Sequence, residues 1–321
     1  MAGLTLLCMA LCLRFGSAEF SGSAFYGGLF GKEGYETQSA ILRYIRLPRI
    51  LGAVLCGVGL SISGVLLQSV TGNPLASPSI IGVNSGAGFL AILCLSFLPG
   101  ALYALPFAAF VGAFLSTLII LFVSGRMGST KATVVLAGIA LTTLLNAGIS
   151  FLSLLDSDVL LAYHDFSVGG LSGVRLENLA APGAIILASF AASLLASRRI
   201  RLLCLGDNMA LSLGVRVRAL RLLCLVLASA AASAVVSFAG LLGFVGLVVP
   251  HIARKLAGED TKYLLLHSAL LGAILVLAAD LLGRVLFAPA EVPVGIIMAG
   301  IGAPFFLTLL LKKRRSAHAE F

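Results

Sequence analysis

The sequence predicts an all-α integral membrane protein with about ten transmembrane helices, and three observations carry that prediction. Sixty per cent of the 321 residues are hydrophobic and only 11 per cent are charged, against roughly a quarter charged in an average soluble domain. No water-soluble fold could hide that much apolar surface. The apolar residues are gathered into continuous runs rich in Leu, Ala and Gly, unlike the alternating segments of about ten residues that build a membrane β-barrel. Positive charge recurs in alternate connections between the runs, as the positive-inside rule requires of a multi-pass protein.

About 20 apolar residues in a helix cross a hydrocarbon core about 30 Å thick. The ten runs are Leu4–Leu13, Ile50–Leu67, Ile80–Leu98, Leu102–Val123, Ala132–Leu155, Leu179–Ala196, Leu220–Val236, Phe238–Ala257, Leu264–Leu282 and Val294–Leu311. They fill residues 1–321 as a single transmembrane domain. The first run is short and lacks the basic n-region of a signal peptide. Two readings stay open for it: a retained helix that borrows Met1 to Ala18, or a processed or late-started segment. Pro250, preceded by Gly243 and Gly246, is expected to break or bend its span. Gly82 and Gly86 form a small-xxx-small pair suited to close helix packing.

Of the 22 Lys and Arg, 15 lie in alternate connections: Arg126 and Lys131; Arg198, Arg199, Arg201, Arg216, Arg218 and Arg221; Arg254, Lys255 and Lys262; and Lys312, Lys313, Arg314 and Arg315. These connections are therefore expected to be cytoplasmic, together with both termini, the segment 197–219 and the tail 312–321. The stretches 16–49 and 156–178 face outward as loops. The net charge of +9 is accounted for by topology, and no nucleic-acid partner is expected. The partner implied throughout is the lipid bilayer.

Connections this short leave no room for a soluble catalytic domain. Gly86-Ala-Gly88-Phe-Leu-Ala91 matches G-x-G-x-x-A on paper, but it lies inside an apolar run without the acidic residue about 20 positions on that a dinucleotide site needs. Gly31-Lys32-Glu33 resembles the end of a phosphate-binding loop, yet Tyr26 stands where its first Gly belongs and Glu33 where Ser or Thr belongs. His164, His251, His267 and His318 are far apart, so no protein-built metal site is expected. All six cysteines lie in or beside apolar runs and read as small hydrophobes. Asp280, Arg284 and Glu291 fall near an outer boundary and His251 and Arg254 near an inner one, where long side chains snorkel to water. No carboxylate or histidine is placed deep in a span as a coupling group for a proton-driven carrier.

Six strings occur in order: Arg46-Leu-Pro-Arg49; Gly64-Val-Leu-Leu-Gln68; Asn73-Pro-Leu-Ala-Ser-Pro78 with Gly82; Gly206-Asp207 with Ala210, Leu213 and Gly214; Gly246-Leu-Val-Val-Pro250-His251; and Ala279-Asp280 to Arg284 followed by Glu291-Val-Pro293-Val-Gly295. Together they resemble the FecCD-type permease family, which forms the membrane part of ABC importers for ferric siderophores, haem and cobalamin. The resemblance spans Arg46 to Leu311. It implies a type II importer permease of ten helices in a bacterial cytoplasmic (inner) membrane, dimerised with a second permease subunit. Two cytoplasmic ABC ATPase subunits and one external substrate-binding protein complete the assembly. This chain would bind no cofactor, ATP and Mg being used by the ATPase, and would not be an enzyme.

The same resemblance distributes roles. Arg46, Arg49 and Arg284 would be charges that dock the binding protein. Gly206, Asp207, Ala210, Leu211, Leu213 and Gly214 would form the helix that couples to the ATPase, with Asp207 capping its start. Gln68, Asn73, Pro74, Pro78, Gly82, Gly246 and Pro250 would belong to the translocation pathway. The alternative is an ion-gradient-driven secondary transporter with no ATPase partner; an intramembrane enzyme and an exporter permease are weaker rivals.

Overall fold

The computed structural model describes residues 1–18, 20–98, 100–101, 103–126 and 131–318. Among them the chain forms fourteen α-helices and no strand. In order these are α1 (Ala2–Arg14), α2 (Gly22–Leu29), α3 (Glu36–Ile41), α4 (Leu47–Thr71), α5 (Val83–Phe97), α6 (Ala104–Arg126), α7 (Lys131–Leu155) and α8 (Ser157–Val168). They continue with α9 (Leu176–Leu203), α10 (Asp207–Ser212), α11 (Val217–Ala239), α12 (Val245–Ala257), α13 (Thr261–Val285) and α14 (Val294–His318). Seven of the ten apolar runs fall within one helix; Ile80–Leu98 overruns α5 at both ends, Leu102–Val123 begins before α6, and Phe238–Ala257 is divided between α11 and α12. Among the described residues six helical segments are long and apolar enough to cross a membrane: Glu36–Thr71, Ala104–Val123, Val135–Leu155, Leu176–Leu203, Val217–Ala239 and Thr261–Val285. Ala2–Arg14, Val83–Phe97 and Val294–Leu309 are apolar but shorter.

The stretches expected as outer loops are largely helical. A π-helical turn, Leu42–Arg46, joins α3 to α4, so one helix runs unbroken over 36 residues from Glu36 to Thr71. At 1.5 Å per residue that is about 54 Å, well beyond the hydrocarbon thickness, and its first turns therefore rise out of the apolar layer. The second stretch contains α8, whose start is capped by Asp156 accepting from the backbone N–H of Asp158 at 2.8 Å. The basic side chains of Arg126, Lys131, Lys312, Lys313, Arg314 and Arg315 and residues 319–321 of the tail lie outside the described residues.

Helix α4 is the axis of the molecule: 20 of its 25 residues are buried, against α11, α12, α13 and α9. Small residues make that density possible. A Cβ at Gly57 would overlap the carbonyl of Gly272 on α13, and one at Gly64 would overlap the carbonyl of Gly246 on α12. Bare backbones thus meet at both crossings, where dispersion contacts substitute for the hydrophobic drive that lipid does not supply. The predicted Gly82–Gly86 pair divides its labour: Gly82 caps α5 with φ 72°, and Gly86 packs on Gly112 of α6.

Pro250 does not break its helix. The interruption falls earlier, at 240–244, an extended stretch between α11 and α12 ending in Phe244 with φ 65°. Its backbone groups find partners across the chain, Gly170 N–H donating to Ala239 at 2.9 Å and Leu241 N–H to Phe166 at 3.2 Å. Proline lacks the N–H that would bond the carbonyl four residues back, so Pro250 leaves the carbonyl of Gly246 free. Gln68 Nε2 donates to that oxygen at 3.4 Å. The proline is accommodated by a partner from another helix.

Candidate functional site

Two polar constructions stand at opposite ends of this apolar bundle. The first lies where α1, the start of α4, the end of α13 and the approach to α14 converge. Arg49 Nε donates to Asp280 Oδ1 at 2.8 Å, and Arg49 Nη1 to Glu291 Oε2 at 2.6 Å. Ser17 Oγ donates to the other oxygen of Glu291 at 2.7 Å. Arg284 Nε lies 3.0 Å from Asp280 Oδ2 as an ion pair, but its angle is poor, and Asp280 Oδ2 makes no hydrogen bond. Arg284 Nη1 reaches the carbonyls of Cys12 and Phe15 at 3.4 Å.

Arg46 meets no carboxylate. Its guanidinium donates to the carbonyls of Leu13 at 2.6 Å, Arg14 at 2.9 Å and Ala18 at 2.5 Å, and its Cζ lies 4.5 Å from the centre of the Phe20 ring. It thereby takes up carbonyls that the end of α1 leaves without helical partners. Arg14 donates to the carbonyl of Phe20 at 3.0 Å and sits over Phe15 and Phe25. Three guanidiniums, those of Arg46, Arg49 and Arg284, face two carboxylates, and the cap holds an excess of positive charge.

The exposures correct the expected picture of outward-reaching docking charges. Arg46, Arg49 and Arg284 are only 3, 6 and 2 per cent exposed, and Asp280 1 per cent. They do not snorkel to water, because partners inside the protein replace hydration. Burial pushes the Glu291 carboxyl up, but the hydrogen bonds from Arg49 and Ser17 and the positive charge beside it outweigh that and hold it below the usual glutamate value. The Lys and Arg side chains that do stand exposed in the stretches 16–49 and 156–178, expected to face outward, are Lys32, Arg43 and Arg175.

The second construction is α10. It is one and a half turns long, and Gly206 rather than Asp207 occupies the N-cap, with φ 100°. Asp207 instead accepts from Arg221 Nη2 through both carboxylate oxygens at 2.9 Å, pinning α10 to α11. The backbone N–H of Val215 closes the far end onto Ala210 at 3.0 Å. Ala210 is fully buried and serves as the contact with the bundle. Met209, Leu211 and Leu213 are each more than half exposed, so the helix presents apolar side chains at a surface otherwise ringed by arginine.

The expected pathway residues separate into two groups. Gln68, Pro78, Gly82, Gly246 and Pro250 are buried among the chain's own helices, and Gln68 and Gly246 belong to the α4–α12 crossing. Only Asn73 and Pro74 are exposed; Asn73 Oδ1 accepts from the Leu75 N–H at 2.9 Å and so shapes the turn. A polar face that the sequence reading passed over lies on α7. Thr143, Asn146, Ala147 and Ser150 are all exposed, at the i, i+3, i+4, i+7 spacing that puts them on one stripe. That spacing was legible. Exposed Ala299, Gly300, Ala303 and Pro304 give α14 a face of small residues. Among the described residues no cluster of His, Cys, Asp or Glu has metal-site geometry.

A family model described as the FecCD transport family matches residues 4–312. The chain is 38 per cent identical to the hemin transport system permease protein HmuU of Yersinia pestis, over 96 per cent of this chain and 95 per cent of that one. It is 40 per cent identical to the Fe(3+)-citrate import system permease protein YfmE of Bacillus subtilis, covering 84 and 81 per cent of the two chains. The cobalamin import system permease protein BtuC of Halobacterium salinarum is also 40 per cent identical, over 86 per cent of this chain and 74 per cent of that protein. A solved metal-chelate type ABC transporter in an inward-facing conformation superposes with a TM-score of 0.87 at 31 per cent identity, covering 97 per cent of each chain.

Proposed function

The chain belongs to the FecCD transport family, and from that premise we propose that it is the membrane-spanning permease subunit of an ATP-driven importer for an iron chelate, haem or cobalamin. The observation that carries the reading is α10: a short helix pinned by Asp207–Arg221 that holds Met209, Leu211 and Leu213 out toward solvent. An exposed apolar ridge on a rigid mount suits insertion into a groove of a cytoplasmic ATPase. Closure of two such ATPases would move α10, and through Arg221 the start of α11, so that two permease copies rock between outward and inward access. ATP and Mg are used by the ATPase, and this chain breaks no bond of the cargo and holds no cofactor.

In this reading all ten apolar helices lie in a bacterial inner membrane, α1, α5, α12 and α14 crossing as short or tilted elements beside the six long ones. Both termini are then cytoplasmic. The pathway runs along exposed polar and small positions, Thr143, Asn146 and Ser150 of α7 with Ala299, Gly300 and Ala303 of α14 across from the second subunit, and Asn73 near its inner end. An external binding protein supplies the cargo. The buried arginine cap lies beneath its docking face, contributing rigidity and a positive field, while Lys32, Arg43 and Arg175 offer accessible charge.

Co-purification tests the coupling directly. The co-encoded ATPase is expected to remain bound to the wild-type permease, and Leu211→Asp with Leu213→Asp to release it while leaving the permease monodisperse. Retention of the ATPase by that variant would remove α10 from the interface.

A further inference from the structure

Beside α10 a groove of about 610 Å³ opens between the end of α9 and the start of α11. Arg199 and Leu202 form one wall, three positions apart and so on one face of α9. Arg216, Leu220 and Leu223 form the other, and Gly214, with φ 78°, closes the end. Leu223 is 43 per cent exposed at the deep end, where α11 enters its apolar span.

The charges around this groove are unevenly satisfied. Six arginines lie between 198 and 221. Arg201 pairs with Asp260 at 2.8 Å and Arg221 with Asp207 at 2.9 Å. Arg198, Arg199, Arg216 and Arg218 are exposed and have no carboxylate at ion-pair distance among the described residues, and of these four only Arg199 and Arg216 line the groove. Two unneutralised guanidiniums beside a leucine wall match a ligand with an anionic head and an apolar tail. A soluble anion would use the arginines and leave the wall wet; a second protein helix would bury the leucines but offers no reason for two free cations. A basic groove between helices at the cytoplasmic interface has the chemistry that retains an anionic phospholipid.

We infer that one anionic phospholipid of the inner leaflet occupies this groove, its phosphate between Arg199 and Arg216 and an acyl chain along Leu220 and Leu223. Because Gly214 is shared by the groove and the segment that ends α10, the bound lipid stiffens the mount of that helix. The inference rests on the cytoplasmic placement of segment 197–219 given above, but lipid retention is a property of the permease alone and is measurable without an ATPase.

The test is native mass spectrometry of the detergent-purified permease titrated with cardiolipin or with phosphatidylcholine. One cardiolipin per chain is expected to survive mild activation, and phosphatidylcholine is not. Arg199→Gln with Arg216→Gln is expected to weaken cardiolipin retention about thirtyfold, the loss of two arginines near an anionic surface. Arg198→Gln with Arg218→Gln, on the same rim but outside the groove, is expected to leave it unchanged. A photoreactive phenylalanine analogue in place of Leu223 gives a readout in the otherwise native chain, and it is expected to cross-link cardiolipin. Equal losses in the two double variants, no preference for cardiolipin, absence of the cross-link, or displacement by glycerol 3-phosphate would each overturn the inference.

Discussion

Arg49 Nε and Asp280 Oδ1 are separated by 231 positions in the chain and by 2.8 Å in space, and their contact ties the start of α4 to the end of α13. The same carboxylate lies 3.0 Å from Arg284. Removing it leaves buried Arg284 with no carboxylate partner and Arg49 with Glu291 alone. Asp280→Ala is therefore expected to cost about 3–5 kcal/mol, the range for breaking a buried pair by deleting one partner. Thermal unfolding in detergent reads this directly. A cost no greater than that of an exposed pair such as Arg201–Asp260 would contradict the role given to Asp280.

Glu291 gives the cap a pH dependence of defined sign. Its folded-state carboxyl is held below the ordinary value of 4.5, so its contribution is present above that value and fades as pH falls through the lower folded value. Its side chain is 29 per cent exposed, and solvent screening reduces the effect to about 1 kcal/mol. Glu291→Gln is expected to lower the unfolding temperature at pH 7 and to converge on wild type under acid conditions. A deficit independent of pH would assign Glu291 a packing role instead.

Backbone contact between α4 and α13 predicts a steric asymmetry among glycines. A Cβ at Gly272 meets the carbonyl of Gly57 and the hydroxyl of Ser61, whereas one at Gly300 meets nothing within 4 Å. Gly272→Ala must push two central helices apart and is expected to destabilise by about 1–3 kcal/mol or more, as overpacking does. Gly300→Ala is expected to be neutral in the isolated chain. Comparable unfolding temperatures for the two would refute the close crossing.

Phe244 is held at φ 65°, a conformation that costs a non-glycine residue about 1–3 kcal/mol, and a Cβ at Gly302 of α14 would overlap its ring. The two positions should therefore be coupled. Gly302→Ala is expected to cost less in a Phe244→Leu background than alone, with a coupling of about 1 kcal/mol in a double-mutant cycle. Additivity would show that the ring does not rest on Gly302.

The apolar runs were legible in the sequence because membrane insertion is written in local composition, and seven of the ten lie within single helices; the break at 240–244 inside Phe238–Ala257 was not legible, because its backbone groups are partnered from elsewhere in the chain. Pairing was not legible. Arg49, Asp280, Arg284 and Glu291 stand in the sequence as charges near an expected outer boundary, but only tertiary contact decides whether such a group reaches water or another side chain. The same holds for Gln68, Gly246 and Pro250, whose meeting at one helix crossing no spacing in the sequence announces. Asp207 has the chemistry of an N-cap, yet Gly206 takes that position and frees the carboxylate for Arg221. The stripe Thr143, Asn146 and Ser150 is readable from its spacing.

The central claim is that this chain moves a metal chelate only when a separate ATPase drives it. Uptake of ferric citrate, haemin or cobalamin into proteoliposomes holding the permease, the co-encoded ATPase and the cognate binding protein measures it most directly. The account predicts uptake that requires ATP and the ATPase subunit and is unaffected by a protonophore. Uptake by the permease alone, driven by an ion gradient and indifferent to ATP, would contradict it.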